Sequence, residues 1–274
     1  LTVVQIIAGV LSGSLAMIAD AIHNLSDAFS LIIAFFARRI ARRPADADMT
    51  FGYGRAEVVA ALINYTTLIV IAIYLVAEGV QRLINPVEVE GWIVVIVAGV
   101  ALVVDTVTAV LIFSLSKNSM NIKAAFLHNV ADALGSVAVI VAGTLILLYD
   151  WRLVDPIVTL GIAGYILWQA WGGMKPAIHV LMLGSPIKTD LPDVINAMKQ
   201  VDGVLDLHHV HLWRMQEHEV ALDAHVVLDG TAPVEAVKSA IKADLAKRFS
   251  VDHCVLEFET QDAQCVAPRK IGHE

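Results

Sequence analysis

Apolar residues run in long blocks through the first two thirds of the chain and thin out after about residue 180. A helix needs about 20 predominantly apolar residues to cross a bilayer at 1.5 Å of rise each. Five blocks meet that length: residues 15–40, 58–83, 92–115, 124–149 and 154–174. Their separators carry loop chemistry, with Arg42-Arg43-Pro44, Asn85-Pro86 and Lys117-Asn118-Ser119. The opening run, residues 1–11, is too short to span and reads as the remainder of a first helix, which makes six. Beyond residue 185 the period changes. Residues 191–200 form an amphipathic helix with Pro192 near its start, where the missing N–H is harmless. Residues 204–215 and 219–228 read as strands joined by a polar turn. Residues 233–249 place Val234, Val237, Ile241 and Leu245 on one helical face, and 253–259 form a last strand. The order α-β-β-α-β predicts a small ferredoxin-like layer. The expected fold is an α-helical membrane protein, a six-helix transmembrane bundle over residues 1–180 followed by a cytosolic ferredoxin-like α+β domain over 185–262. Residues 263–274 are expected to be a disordered tail.

Composition agrees with this picture. The hydrophobic fraction is 57% and the mean hydropathy +0.70, against roughly 45–50% apolar residues in soluble domains. A net charge of -8 leaves no basic stripe to neutralise phosphates, which argues against a nucleic-acid partner. Two cysteines, Cys254 and Cys265, make no spaced disulfide framework. Positive charge gathers on alternate connections. Arg38, Arg39, Arg42, Arg43 and Arg55 lie between the second and third helices, Lys117 and Lys123 between the fourth and fifth, and Lys175 after the sixth. By the positive-inside rule both termini are expected to be cytoplasmic.

Ionisable residues inside the apolar blocks demand a reason, because each costs at least ~2.5–3.5 kcal/mol at the bilayer centre. The second helix carries Asp20, His23 and Asp27; the fifth carries His128 and Asp132. His23 with Asp27, and His128 with Asp132, are four apart, which stacks each pair on one helical face. Counted from Ser12 and from Lys117, each histidine lies about 11 residues deep, ~16 Å along a helix and near the middle of a ~30 Å core. Two imidazoles and two carboxylates at one depth form a tetrahedral set suited to zinc, without the thiolates that favour copper(I). Asp20, one turn before His23, is either an outer partner that orients that ring, a gate near the outward mouth, or a helix-packing contact. Glu78 and Asp105 read as polar lining, with proton or water access as the alternative.

Several motifs carry a family likeness. They are Ser14-Leu15-Ala16 leading into His23-Asn24-Leu25-Ser26-Asp27, then Phe51-Gly52-Tyr53-Gly54-Arg55-Ala56-Glu57, His128-Asn129-Val130-Ala131-Asp132, and His208-His209-Val210-His211-Leu212-Trp213. In these the chain resembles the cation diffusion facilitator family of zinc transporters, in their bacterial form. The resemblance implies a homodimer in the bacterial inner membrane that exchanges Zn2+ for protons by alternating access, with Cd2+, Co2+ or Fe2+ as further cargo. It also implies a cytosolic metal-binding and dimerisation domain. In that domain His208, His225, Glu257 and Glu259 occupy the positions where relatives place a two-metal site, with His211 and His253 as further candidates. Cys254 adjoins His253 but points to the other strand face. One stretch departs from the family: between the second and third helices, where some bacterial members bind metal through aspartate and histidines, Met49 and Tyr53 replace the histidines while Asp46 and Asp48 remain. Of the rival classes, an intramembrane metallohydrolase calls for a general base such as the glutamate of HExxH, which is absent. A metal-sensing receptor needs no site at the midplane.

Overall fold

Every apolar block becomes a helix. The computed structural model describes residues 1–274 apart from 117–119, 188, 217–218, 264, 266–268 and 272–274, and apart from the side chains of 114–116, 120–125, 128 and 263. A short apolar helix α1 (Thr2–Ser12) is followed by α2 (Leu15–Ala41), α3 (Ala56–Ile84), α4 (Gly91–Ser116), α5 (Met120–Tyr149) and α6 (Val154–Leu181). The last five are long and apolar enough to cross a membrane. Leu31, Val110, Leu111 and Trp168 are exposed in the isolated chain, as expected of side chains that lipid would cover. The sixth helix outruns its expected end at residue 174 and continues through Pro176. Proline removes one helical hydrogen bond, but the added turns bury Ala177 and Val180 against Val58.

Two anchors fix where α2 begins. Gly13 ends α1 in the left-handed region, at φ 75°, a conformation that costs a residue without Cβ nothing. Asp155, in the first turn of α6, then accepts hydrogen bonds from the Ser14 hydroxyl and from the backbone N–H of Leu15 at 2.8 Å and Ala16 at 3.4 Å. A carboxylate from a distant helix thereby satisfies the open N–H groups at the start of α2, where the helix dipole favours negative charge. Asp155, Ser14 and Leu15 are all buried.

The tail folds as α7 (Leu191–Lys199), β1 (Val204–Arg214), β2 (Val220–Leu228), α8 (Val234–Phe249) and β3 (Val251–Thr260), closed by a 3-10 turn η1 (Gln261–Ala263). The sheet order is β1-β2-β3, with β1 antiparallel and β3 parallel to β2. The parallel pair requires a crossover, which α8 supplies. One sheet face packs on the two helices through Val194, Met198, Leu222, Val226, Ile241 and Leu245. Cross-strand partners share a face. Register therefore sets His208, His225 and Glu257 in one row of the opposite face, and His211, Asp223 and Val255 in the next. By contact the chain divides into two units, Leu1–Ile33 with Ile63–Met174, and Ala34–Leu62 with Lys175–Glu274.

Asp155 offers a test of the second anchor. Asp155→Ala leaves the start of α2 without its acceptor, and removing one partner of buried hydrogen bonds costs about 1–3 kcal/mol. The variant is expected to lower the thermal unfolding midpoint of the detergent-solubilised protein, measured by intrinsic fluorescence.

Candidate metal centres

The first centre lies between α2 and α5. His23 Nε2 is 3.7 Å from Asp27 Oδ2 and 3.6 Å from Asp132 Oδ1. One ligand atom from each of these three residues falls within 4.8 Å of the other two. A tetrahedral zinc ion with bonds near 2.0–2.1 Å separates its ligand atoms by about 3.3–3.5 Å. The two spacings from His23 thus need only a few tenths of an ångström of adjustment. The i to i+4 relation along α2 stacks His23 over Asp27, and α5 brings Asp132 across. His23 is buried and the Asp132 side chain is 10% exposed, while Asp27 at 34% faces the open side. The Tyr165 ring of α6 meets the His23 imidazole edge to face at 6.2 Å. His128 lies on α5 one turn before Asp132; its side chain is outside the described residues.

Asp20 does not join that cluster. Its Oδ2 accepts a hydrogen bond of 2.8 Å from the buried amide of Gln5 on α1. Close approach to α5 is possible because Gly135 faces it, where an added Cβ would stand 3.3 Å from Asp20 Oδ1. Asp105 on α4 accepts from Ser136 at 3.3 Å, and Glu78 pairs with Arg82 one turn on at 3.0 Å.

The second centre lies on the open face of the tail sheet. His225 holds Glu259 through Nδ1 at 2.7 Å and Glu257 through Nε2 at 3.4 Å. His208 Nε2 is 3.2 Å from the other oxygen of Glu259. His208 and Glu259 are buried and Glu257 is exposed. His211 and His253 share this face but stand one and two rows away, at ~6.6–7 Å per row along a strand. Among the described residues neither falls in a candidate cluster, and His253 packs against Phe51 at 6.4 Å between ring centres. His218 and His273 lie outside the described residues.

Sequence comparison then decides the family. The model for the cation efflux transmembrane domain matches residues 1–182, and that for the cation efflux protein cytoplasmic domain matches 186–261. The chain belongs to the cation efflux family. It is a multi-pass membrane protein, and the family's members are transporters rather than enzymes. Among its relatives is the cadmium, cobalt and zinc/H(+)-K(+) antiporter of Bacillus subtilis, 33% identical over 94% of this chain and 85% of that protein. Another is the metal cation efflux system protein CzcD of Cupriavidus metallidurans, 34% identical over 94% and 82%. A third is the zinc transporter ZitB of Escherichia coli, 32% identical over 94% and 83%. A solved structure, the metal-bound C-terminal domain of the CzcD transporter from Cuprividus metallidurans, is 30% identical over 26% of this chain and 99% of that chain, with a TM-score of 0.25.

Two residues of this cation efflux protein escaped the sequence reading. His209 and Cys265 stand with His208 and His225 in a group whose ligand atoms lie within 4.8 Å of one another. Strict alternation along β1 would send His209 to the core face, and Cys265 falls past the last strand. The only sequence signals were the His208-His209 doublet and a thiol five residues after Thr260. Cys254 lies on the core face as expected from alternation, among the residues packed on Leu245 and its neighbours. Burial pushes its thiol up to about 11.

In the connection between α2 and α3 the Asp46 carboxylate is engaged by hydrogen bonds. The Tyr53 hydroxyl donates to Asp46 Oδ2 at 2.7 Å, and Oδ1 accepts from the N–H groups of Met49 at 2.8 Å and Asp48 at 3.0 Å. The Tyr53 hydroxyl, with help from those N–H groups, holds the Asp46 carboxyl below its usual range. Asp46 in return pushes the Tyr53 phenol up. Among the described residues, no candidate metal cluster includes Asp46 or Asp48. Because the folded carboxyl titrates lower than the unfolded one, its contribution is present above the unfolded value and lost as pH falls through the folded one. Tyr53→Phe is expected to move the Asp46 titration upward, read by NMR of its side-chain carboxyl.

Proposed function

We propose that the protein exports divalent transition-metal cations, Zn2+ first, from the cytosol in exchange for protons by alternating access. The observation that carries this reading is the convergence of His23, Asp27 and Asp132 from two apolar helices within ion-sharing distance. His128, one turn from Asp132 on the same helix, is the proposed fourth ligand. The names of the relatives support the cargo: they describe zinc, cadmium and cobalt transport, and one describes exchange with H+ and K+. Cd2+ and Co2+ are accordingly proposed as further cargo.

Proton coupling follows from the donor atoms. A divalent ion binds neutral imidazole and ionised carboxylate, so binding expels protons and protonation expels the ion. An imidazole titrates near pH 6.5, within the range a modest gradient spans. A site open to the cytosol loads the ion; the same site open to the other side gives it up to incoming protons. Asp20, one turn before His23 and held by Gln5 of α1, serves as a positioning residue for the start of that helix face.

The setting we propose is the bacterial inner membrane with both termini cytoplasmic, supported by the arginine-rich connection at residues 38–55. The match of residues 186–261 to the family's cytoplasmic domain supports a homodimer assembled through the tail. His208, His225, Glu257 and Glu259 are proposed as a metal-responsive site there, whose occupancy biases the dimer toward one arrangement.

Asp132→Ala is expected to abolish Zn2+-driven proton movement in proteoliposomes carrying an internal pH dye, while the protein retains its gel-filtration profile and helical circular dichroism. Full-rate flux in the folded variant would refute the assignment of the transport site.

A further inference from the structure

Strand β1 breaks its own alternation at one place. His208 and His211 pair with His225 and Asp223, so three steps on β1 oppose two on β2, and the register shifts between them. His209 takes up the extra residue with a positive φ of 49°. Such a conformation is uncommon for a side chain of this size, although histidine is among the residues enriched there. The bulge puts two consecutive imidazoles on the open face, while Leu207 and Val210 on either side stay in the core. Three rings consequently meet. His209 lies 4.9 Å from both His208 and His225 between ring centres, and His208 lies 5.1 Å from His225.

The segment after β3 closes the group. Cys265 Sγ lies 3.6 Å from His225 Nδ1 and 3.4 Å from Glu259 Oε1. A tetrahedral ion with a sulfur bond near 2.3 Å and a nitrogen bond near 2.0–2.1 Å separates those two ligands by about 3.5–3.6 Å. The same segment also docks through its backbone. The N–H of His209 donates to the Arg269 carbonyl at 2.8 Å, that of Val210 donates to Lys270 at 3.0 Å, and Val210 bridges Ile271 in parallel. Strand β1 is an edge strand, and the segment covers the edge at the bulge itself. Thus part of the stretch expected to be disordered is paired, because an open sheet edge offers donors that an arriving strand satisfies.

We infer that His208, His209, His225 and Cys265 form a resident three-imidazole, one-thiolate site for a zinc-like divalent ion, and that its occupancy pins the C-terminal segment to the edge of β1. The inference rests on the reading of the tail as metal-binding and is independent of transport. It changes the chemistry of that site. The set of His208, His225, Glu257 and Glu259 is borderline-hard, whereas a thiolate shifts preference toward Zn2+, Cd2+ and Co2+ and slows release. Binding displaces the thiol proton to solvent, and His225 turns from its carboxylate partners toward the ion or shares it with them.

Cobalt is the probe. A Co2+–thiolate bond gives a near-ultraviolet charge-transfer band, which nitrogen and oxygen ligands do not. Cys254 and Cys265 are the chain's two cysteines, so the band reports one of them. The full chain in detergent, titrated with Co2+, is expected to develop the band; Cys254→Ser is expected to keep it and Cys265→Ser to lose it. His209→Asn preserves a residue that tolerates the bulge conformation while removing the imidazole, and is expected to weaken Co2+ binding read at the same band. On adding Zn2+, amide exchange across β1 is expected to slow in the wild type and not in Cys265→Ser. Absence of the band in the wild type, its loss in Cys254→Ser, its persistence in Cys265→Ser, or undiminished affinity in His209→Asn would overturn the site. Proton flux in proteoliposomes is read separately: intact flux without the band overturns this inference alone, and the band without flux overturns the transport reading alone.

Discussion

Hydrocarbon tolerates a charged or strongly polar side chain only when something compensates for the lost water, and that constraint organises the membrane half of this protein. On α2 and α5 the compensation is mutual, through His23 and Asp132 at 3.6 Å with Asp27 alongside. Elsewhere it is local: Gln5 serves Asp20, Ser136 serves Asp105, and Arg82 serves Glu78. The difference matters chemically. The local pairs satisfy a carboxylate with a neutral donor or a cation, whereas the α2–α5 group offers lone pairs to a common centre. A cation placed there gains from every member at once, and protons compete for those same lone pairs.

The features legible in the sequence were those set by local rules. A span requires a long apolar run, so five helices could be read from block length, and each begins and ends within a few residues of its expected place apart from the end of α6. The i to i+4 pairing of His23 with Asp27 is likewise local. That Asp132 would reach His23 was inferred from matched depth, and depth works because both helices are counted from a membrane surface. What the sequence concealed depends on distant chain. No rule about Asp155 reveals that it closes the start of α2, since 140 positions separate it from Leu15. The length of α6 turned on a packing contact with Val58 that outweighs Pro176.

The tail shows the same division. Alternation sorted Cys254 to the core and Glu257 with Glu259 to the open face, as the register bears out. It misplaced His209 because a bulge is decided jointly by two strands and by the segment covering the edge. His211 and His253 share a face with His225 yet stand one and two rows off, which a reading by face alone cannot distinguish. In the loop at Asp46, where the sequence departs from the family's metal pattern, the Tyr53 hydroxyl donates to the carboxylate.

The bond between Asp155 and the first turn of α2 has a mechanical meaning. One carboxylate grips Ser14, Leu15 and Ala16 while sitting rigidly on α6, so the two helices share a riveted end. Any tilt of α2 must either swing α6 with it about that rivet or tear the rivet out. A single buried acid thus sets how stiffly the ends of these two helices are joined.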